Sequence, residues 1–341
     1  MKHLYFLLHI LSFSMISEGM NFRKHFQEQK VEIQITHIIP VPRNKTSVIP
    51  KRFFEAPHNC NIHNQTLLMN NPSLCFRHRK VFLLKMIRTI PSHFDRRMAI
   101  RETWGSEKHF PGIHMPIVFL IGLTKNKTEQ ENMERENKVY GDILQEDFTE
   151  SYFTLDLKTT MAWKWASEYC PHATFVMVCN DEFIVDMFKL IPYLNSQPKD
   201  KSQINFCIKA VGYLVEREHS KWQVSEETYE ATHYPAFCVG SGYVAPSVVI
   251  RNMYFMSVDT PMFMPDDAWV GIVAEKLGLY LLPTNHMWSL RSVLKKSSRR
   301  DYLKSPSLAH VTDWGPDDPS TTMKKIWNVL INYHNVTNVP K

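Results

Sequence analysis

Two short acidic runs hold the side chains best suited to chemistry. In the first, Phe175-Val176-Met177-Val178 leads straight into Cys179-Asn180-Asp181-Glu182, and a helical pattern follows over residues 187–194. Carboxylates at the carboxyl end of a strand, where alternation points them into a cleft, suit a divalent cation and a diphosphate. A solvated turn with Asp186 capping the next helix accounts for the same residues without any ligand. In the second run, Met264-Pro265-Asp266-Asp267 opens a helical pattern that ends at Gly278. An aspartate at a helix start is often no more than a cap. Between the runs lies Gly240-Ser241-Gly242, which has the backbone freedom for close approach to a ligand or another strand, or for a simple bulge.

The elements that must position these groups alternate. Val81 to Ile87, Met115 to Gly122 and Thr174 to Val178 are apolar runs of strand length, separated by helical patterns over residues 95–103, 130–139 and 155–169. Strands alternating with amphipathic helices predict an α/β domain with a largely parallel sheet. In open sheets of that kind ligands collect beyond the carboxyl ends of the strands, where the first acidic run falls.

The chain has 341 residues, 44% hydrophobic and 22% charged, which excludes a disordered, collagen-like or multi-spanning membrane protein. Its 40 lysines and arginines against 34 acids give a net charge of +6 spread along the chain. That balance suits an anionic ligand without requiring nucleic acid. Residues 4–16 form an apolar run behind Lys2, and a helix of that length reaches about 20 Å against a bilayer core of about 30 Å. A cleaved signal or a short signal anchor over residues 1–17 is expected. Residues 18–74, polar and with prolines at 40, 42, 50 and 57, read as a stem, which leaves residues 75–341 for the folded domain. Sequons at Asn44, Asn64, Asn126 and Asn335 agree with entry into the secretory pathway. The six cysteines have no Cys-x-x-Cys spacing, so a zinc site is not expected and their pairing stays open.

A series of motifs in a fixed order carries a family resemblance. Arg96-Arg97-Met98-Ala99-Ile100-Arg101-Glu102-Thr103-Trp104-Gly105 is the first, and Tyr140-Gly141-Asp142-Ile143-Leu144-Gln145-Glu146-Asp147-Phe148 with Leu157-Lys158-Thr159 the second. The acidic run at residues 180–182 comes next, then Lys221-Trp222 with residues 234–244, then residues 264–271. Ser307-Leu308-Ala309-His310 and Ile326-Trp327-Asn328 close the series. From about residue 75 to 329 the chain resembles the β1,3-galactosyltransferase family, inverting glycosyltransferases of GT-A fold that include β1,3-N-acetylglucosaminyltransferases and, distantly, Fringe.

The resemblance implies a single Rossmann-like GT-A domain. It implies transfer of a hexose, galactose first, from a UDP-sugar to the 3-hydroxyl of a glycoprotein or glycolipid glycan. The alternatives are an N-acetylglucosaminyl- or N-acetylgalactosaminyltransferase, or a catalytically silent relative that binds glycan or nucleotide. Asp267 would be the general base. Asn180, Asp181, Arg101 and Lys158 would bind the donor, and Glu182 and His310 would hold manganese, with His286 a weaker rival to His310. Trp222, Gly240, Ser241, Gly242 and Asp266 would lie on the acceptor side. The family's usual three consecutive acids are here Asn180, Asp181 and Glu182, and Asp266 replaces its usual glutamate. The resemblance further implies a Cys170–Cys238 disulfide and a type II Golgi membrane location with a luminal domain. A cleaved signal and a soluble luminal or secreted protein is the other option.

Overall fold

The computed structural model describes residues 49–77, 79–197, 203–218, 220–282, 287–289, 309–311 and 318–334. Its strands, in chain order, are β1 (Leu67–Met69), β2 (Val81–Arg88), β3 (Ile117–Leu123), β4 (Ile143–Thr149), β5 (Ala173–Asn180), β6 (Phe183–Val185), β7 (Gln203–Ile204), β8 (Phe206–Ala210), β9 (Phe237–Pro246), β10 (Tyr280–Leu281), β11 (Met287–Ser289) and β12 (Ala309–Val311). The helices used below are α1 (Phe94–Glu102), α2 (Lys127–Tyr140), α3 (Leu155–Tyr169), α4 (Met187–Ser196), α5 (Ser247–Val258), α6 (Asp266–Lys276) and α7 (Pro319–Tyr333).

Seven strands form the main sheet in the order β1-β4-β3-β2-β5-β9-β8. The four central strands β4, β3, β2 and β5 are mutually parallel, and β1, β9 and β8 add antiparallel edges. Seven of the eight residues of β2 are buried, as a parallel strand covered on both faces requires. One apolar cluster packs α3, α5 and α6 on one face, through Trp163, Ile250 and Trp269. The other packs α1, α4 and α7 through Ile100, Leu190 and Trp327. This is the expected α/β architecture with a mostly parallel central sheet.

The connections explain where a ligand must sit. From β2 the chain steps outward through α1 to β3 and through α2 to β4, then α3 carries it back to β5 on the other side of β2. The strand order therefore reverses between β2 and β5, and a crevice opens at their carboxyl ends. Arg88 and Asn180, the last residues of the two strands, stand opposite each other in register.

Part of the stretch read as stem packs on this domain. Phe53 is fully buried, 5.7 Å from the rings of both Tyr229 and Phe263. β1 pairs with β4, and buried His63 Nε2 lies 2.6 Å from Glu146 Oε2. Residues 1–17 lie outside the described residues, among which no helix is long and apolar enough to cross a membrane.

The disulfide expectation needs correction. Cys170 ends α3 beside Cys75 and bonds to it with Cα atoms 5.5 Å apart. Cys238 bonds instead to Cys207 on the neighbouring antiparallel strand, with Cα atoms 5.2 Å apart. Strand pairing thus supplies the bridging distance for Cys238, and Cys60 and Cys179 are the free thiols among the described residues.

Candidate active site

At the switch point lies a cavity of about 740 Å³ lined by both strand ends, the start of α6 and an aromatic rim. Its floor is a set of buried ion pairs. The Asp181 backbone N–H donates to Arg88 O at 3.0 Å, which continues the β2–β5 ladder past the strand end. The Asp181 carboxylate accepts from Thr89 Oγ1 at 2.5 Å and pairs with His93 Nδ1 at 2.7 Å and Arg96 Nη1 at 3.1 Å. Burial alone would raise this carboxyl group, but bonding and charge from His93, with Thr89 and Arg96, hold it below the ordinary range.

Arg88 closes a second pair. Its Nη1 donates to Asp266 Oδ2 at 2.6 Å and to Thr159 Oγ1 at 3.1 Å. Burial opposes the Arg88 charge, yet the fields of Asp266 and Asp267 outweigh it and raise its pKa. Lys158 reaches Thr89 O at 2.5 Å and Glu150 Oε1 at 2.6 Å. Its pKa is lowered by burial, against the opposing pull of Glu150. A buried charge needs such partners, because an unpaired one costs several kcal/mol, of order 3–5.

The second member of each acidic pair is placed differently. Asp181 and Asp266 are buried, whereas Glu182 and Asp267 are half-buried and line the same cavity. Asn180 Nδ2 donates to Glu182 Oε1 at 3.0 Å, and Asn180 Oδ1 is buried with no hydrogen-bond partner. Both acids of the second pair lie in the first turn of α6.

Helix α6 is fixed from two sides. Trp269 stacks on Trp163 of α3 at 5.5 Å, and Trp163 Nε1 donates to Tyr243 Oη of β9 at 2.6 Å. One turn past Asp267, a Cβ on Gly271 would lie 2.7 Å from Phe237 Cβ and 2.9 Å from Ala236 O. Glycine is needed there so that α6 can lie against the start of β9.

The rim is aromatic. Trp222 Nε1 donates to Tyr152 Oη at 2.7 Å, and Lys221 Nζ lies 4.9 Å and 4.8 Å from the centres of the Tyr152 and Trp222 rings.

Of the residues singled out from sequence, Lys158, Asn180, Asp181, Glu182, Trp222, Asp266 and Asp267 come together at this cavity. Arg101 does not. Five residues beyond Arg96 on α1, it turns towards α2, pairing with Glu136 and Asp142 at 2.7 Å each and stacking on Tyr140 at 4.1 Å. Gly242 packs under Phe183, opposite Cys179. Gly240 and Ser241 fall where the β8–β9 register slips between the Lys209–Cys238 and Cys207–Tyr243 pairs, so a bulge is present in this segment. His310 pairs through its backbone with Ile184, two residues past Glu182, while His286 lies outside the described residues. Arg88, Thr89, His93 and Arg96 were not among the expected site residues. The signal for Arg88 and Thr89 is their place just after the first apolar run, at the carboxyl end of a strand.

Comparison with known proteins gives the family. The galactosyltransferase family model matches residues 95–284, more than half of the chain. Beta-1,3-galactosyltransferase 1 of Mus musculus and of Homo sapiens are each 34% identical over 223 residues, covering 64% of this chain and 68% of theirs. Beta-1,3-galactosyltransferase 5 of Pan paniscus is 31% identical over 62% of this chain and 70% of its own. A crystal structure of the galactosyltransferase LgtC with donor and acceptor sugar analogues aligns over 76% of this chain and 98% of its own, at 12% identity and a TM-score of 0.39. The chain belongs to the galactosyltransferase family.

Proposed function

We propose that the protein is an inverting hexosyltransferase that moves galactose from UDP-galactose to the 3-hydroxyl of an acceptor glycan, forming a β1,3 linkage. The observation that carries this reading is the convergence of Asp267, Glu182, Asn180 and Lys158 on one cavity at the switch point. Asp267 takes the proton of the acceptor hydroxyl as that oxygen attacks the anomeric carbon from the face opposite the nucleotide. Asp267 lies in the first turn of α6, which fixes its carboxylate at the cavity wall. Asn180 Oδ1, buried and unpartnered, accepts a hydrogen bond from a donor hydroxyl. Lys158 lines the cavity beside the departing diphosphate, with its charge already shared with Glu150.

The residues fit a divalent metal of one particular kind. Among the described residues no group of three or more His, Cys, Asp or Glu could hold an ion. The Asp181 oxygens are already engaged. Glu182 nevertheless offers hard carboxylate oxygens at the cavity wall, which would suit manganese. His310, on the strand beside β6, is the further ligand in this reading. When bound, the ion supplies positive charge to the leaving diphosphate. The reading also places the domain in the Golgi lumen, behind an N-terminal anchor and a stem.

The test measures UDP binding and UDP release by the full-length protein with manganese, a panel of UDP-sugars and an array of glycan acceptors. Release from UDP-galactose on adding acceptor is the expected result. Metal-dependent UDP binding without turnover would select a silent binding relative, and no UDP binding under any metal would end the transferase reading. Glu182→Ala should weaken metal-dependent UDP binding by about 10- to 100-fold; unchanged affinity would remove Glu182 as a ligand.

A further inference from the structure

The rim of the cavity is assembled from two distant segments. Tyr152 opens the turn between β4 and α3, and Trp222 lies in the excursion between β8 and β9. Trp222 is 43% exposed, Tyr152 39% and the adjoining Phe153 65%. Large rings left in water forgo much of the stabilisation that burial would give them. The Trp222 Nε1 bond to Tyr152 Oη nevertheless holds two of them together at 2.7 Å, and both line the cavity that contains Asp267.

A pyranose presents a face of C–H bonds with its hydroxyls directed outward, so paired half-exposed rings match that face while leaving the hydroxyls wet. Lys221 adds a charge to this surface. Its ammonium lies about 5 Å from the centres of both rings, and no carboxylate among the described residues is ion-paired with it. The same cavity is lined by Glu216 near the rim and by Glu182 and Asp267 deeper in, while its basic residues Arg88, Arg96 and Lys158 are ion-paired with acids. Lys221 is thus a cation at the rim that a ligand anion could meet.

We propose that Tyr152, Trp222 and Lys221 form an acceptor subsite for an anionic glycan, in which the rings take the apolar face of a pyranose and the Lys221 ammonium takes a carboxylate or sulfate on that sugar. The proposal rests on reading the cavity as a transferase site, but it is tested by acceptor binding and so does not depend on turnover.

The experiment titrates full-length protein with three disaccharides of one linkage: a neutral galactose-terminated one, its glucuronic acid-terminated analogue and its galactose-6-sulfate analogue. UDP affinity is measured alongside. The wild type should bind an anionic disaccharide at least about tenfold tighter than the neutral one, since a charge-assisted bond is gained. That preference should shrink with added salt. Tighter binding of the glucuronic acid or of the sulfate form identifies the source of the charge. Lys221→Met should abolish the preference while leaving neutral-sugar and UDP affinity unchanged. Trp222→Ala should weaken all three by about tenfold or more. Tyr152→Phe, which keeps the ring and removes the oxygen that holds Trp222, should weaken all three by a smaller factor. Equal wild-type affinity for neutral and anionic sugars, or a preference that survives Lys221→Met, would overturn the proposal. Absence of UDP binding in the wild type would sink the transferase reading while leaving the glycan-binding result to stand by itself.

Discussion

The two acidic pairs of the cavity, Asp181-Glu182 at the end of β5 and Asp266-Asp267 at the start of α6, are built alike. In each, the first acid is buried against basic side chains, Asp181 with Arg96 and the His93 ring and Asp266 with Arg88. In each, the second acid is half-buried and lines the cavity. Adjacent carboxylates in a sequence look interchangeable, but one neutralised by a buried partner works as a joint between elements, whereas one at a cavity wall is placed to meet a ligand. Asp181 joins β5 to the segment leading into α1, and Asp266 joins α6 to the end of β2. In the transferase proposed above, Glu182 and Asp267 would face the ligand while their buried neighbours Asp181 and Asp266 hold the elements together.

Exchanging the two members of the second pair is the sharpest way to break this comparison. Asp267→Asn should lower the transfer rate by about 10²- to 10⁴-fold, the usual range for a general base, with UDP affinity unchanged and a smaller loss of thermal midpoint than Asp266→Asn, since Asp267 also contributes to the field on Arg88. Asp266→Asn should instead register mainly as lost stability, because it leaves the Arg88 charge buried without its partner. Arg88→Met leaves Asp266 in the same position and should cost about 3–5 kcal/mol in denaturant unfolding. The double variant Arg88→Met with Asp266→Leu should recover most of that loss, since a buried ion pair is often replaceable by apolar side chains as long as neither charge is left alone. If Asp266→Asn removed activity in a fully stable protein, the assignment of roles within the pair would be reversed.

The scaffold was legible in the sequence because its signals are local. The apolar runs at 81–87 and 174–178 became β2 and β5, the pattern over residues 155–169 became α3, and Asp186 caps α4 by accepting from Lys189 N. The acids at the strand end and the helix start were visible for the same reason, and the structure brings both pairs to one cavity. What sequence could not supply was partnership across the fold. Arg101 looked available for a phosphate until Glu136 and Asp142, 35 and 41 residues away, were seen to hold it. Arg88 is one basic residue at the end of an apolar run, and its partner Asp266 lies 178 residues on. Cys238 was paired by resemblance with Cys170, but the antiparallel neighbour β8 brings Cys207 to it first. Each of these follows from which strand lies beside which, and the reversal of strand order between β2 and β5 does not show in local periodicity.

The first pair yields the smaller effect, and its signature is acid sensitivity. Asp181 has a folded-state carboxyl held below its ordinary value, where burial is outweighed by the bonds and charge of His93 and by Thr89 and Arg96. The unfolded chain therefore takes up a proton at higher pH than the folded one. The stabilisation from this cluster is fully present above the ordinary carboxylate range, near pH 4, and is lost as pH falls through the lowered folded value. His93→Ala removes the strongest of the interactions that lower it and should cost about 1.5–3 kcal/mol at pH 7. The gap between variant and wild type should then close as pH drops below about 4, because a protonated Asp181 no longer distinguishes them. A destabilisation that stayed constant from pH 7 to pH 3 would show that His93 supports the fold by packing alone, and the likeness between the two acidic pairs would then rest on Arg96 and Thr89.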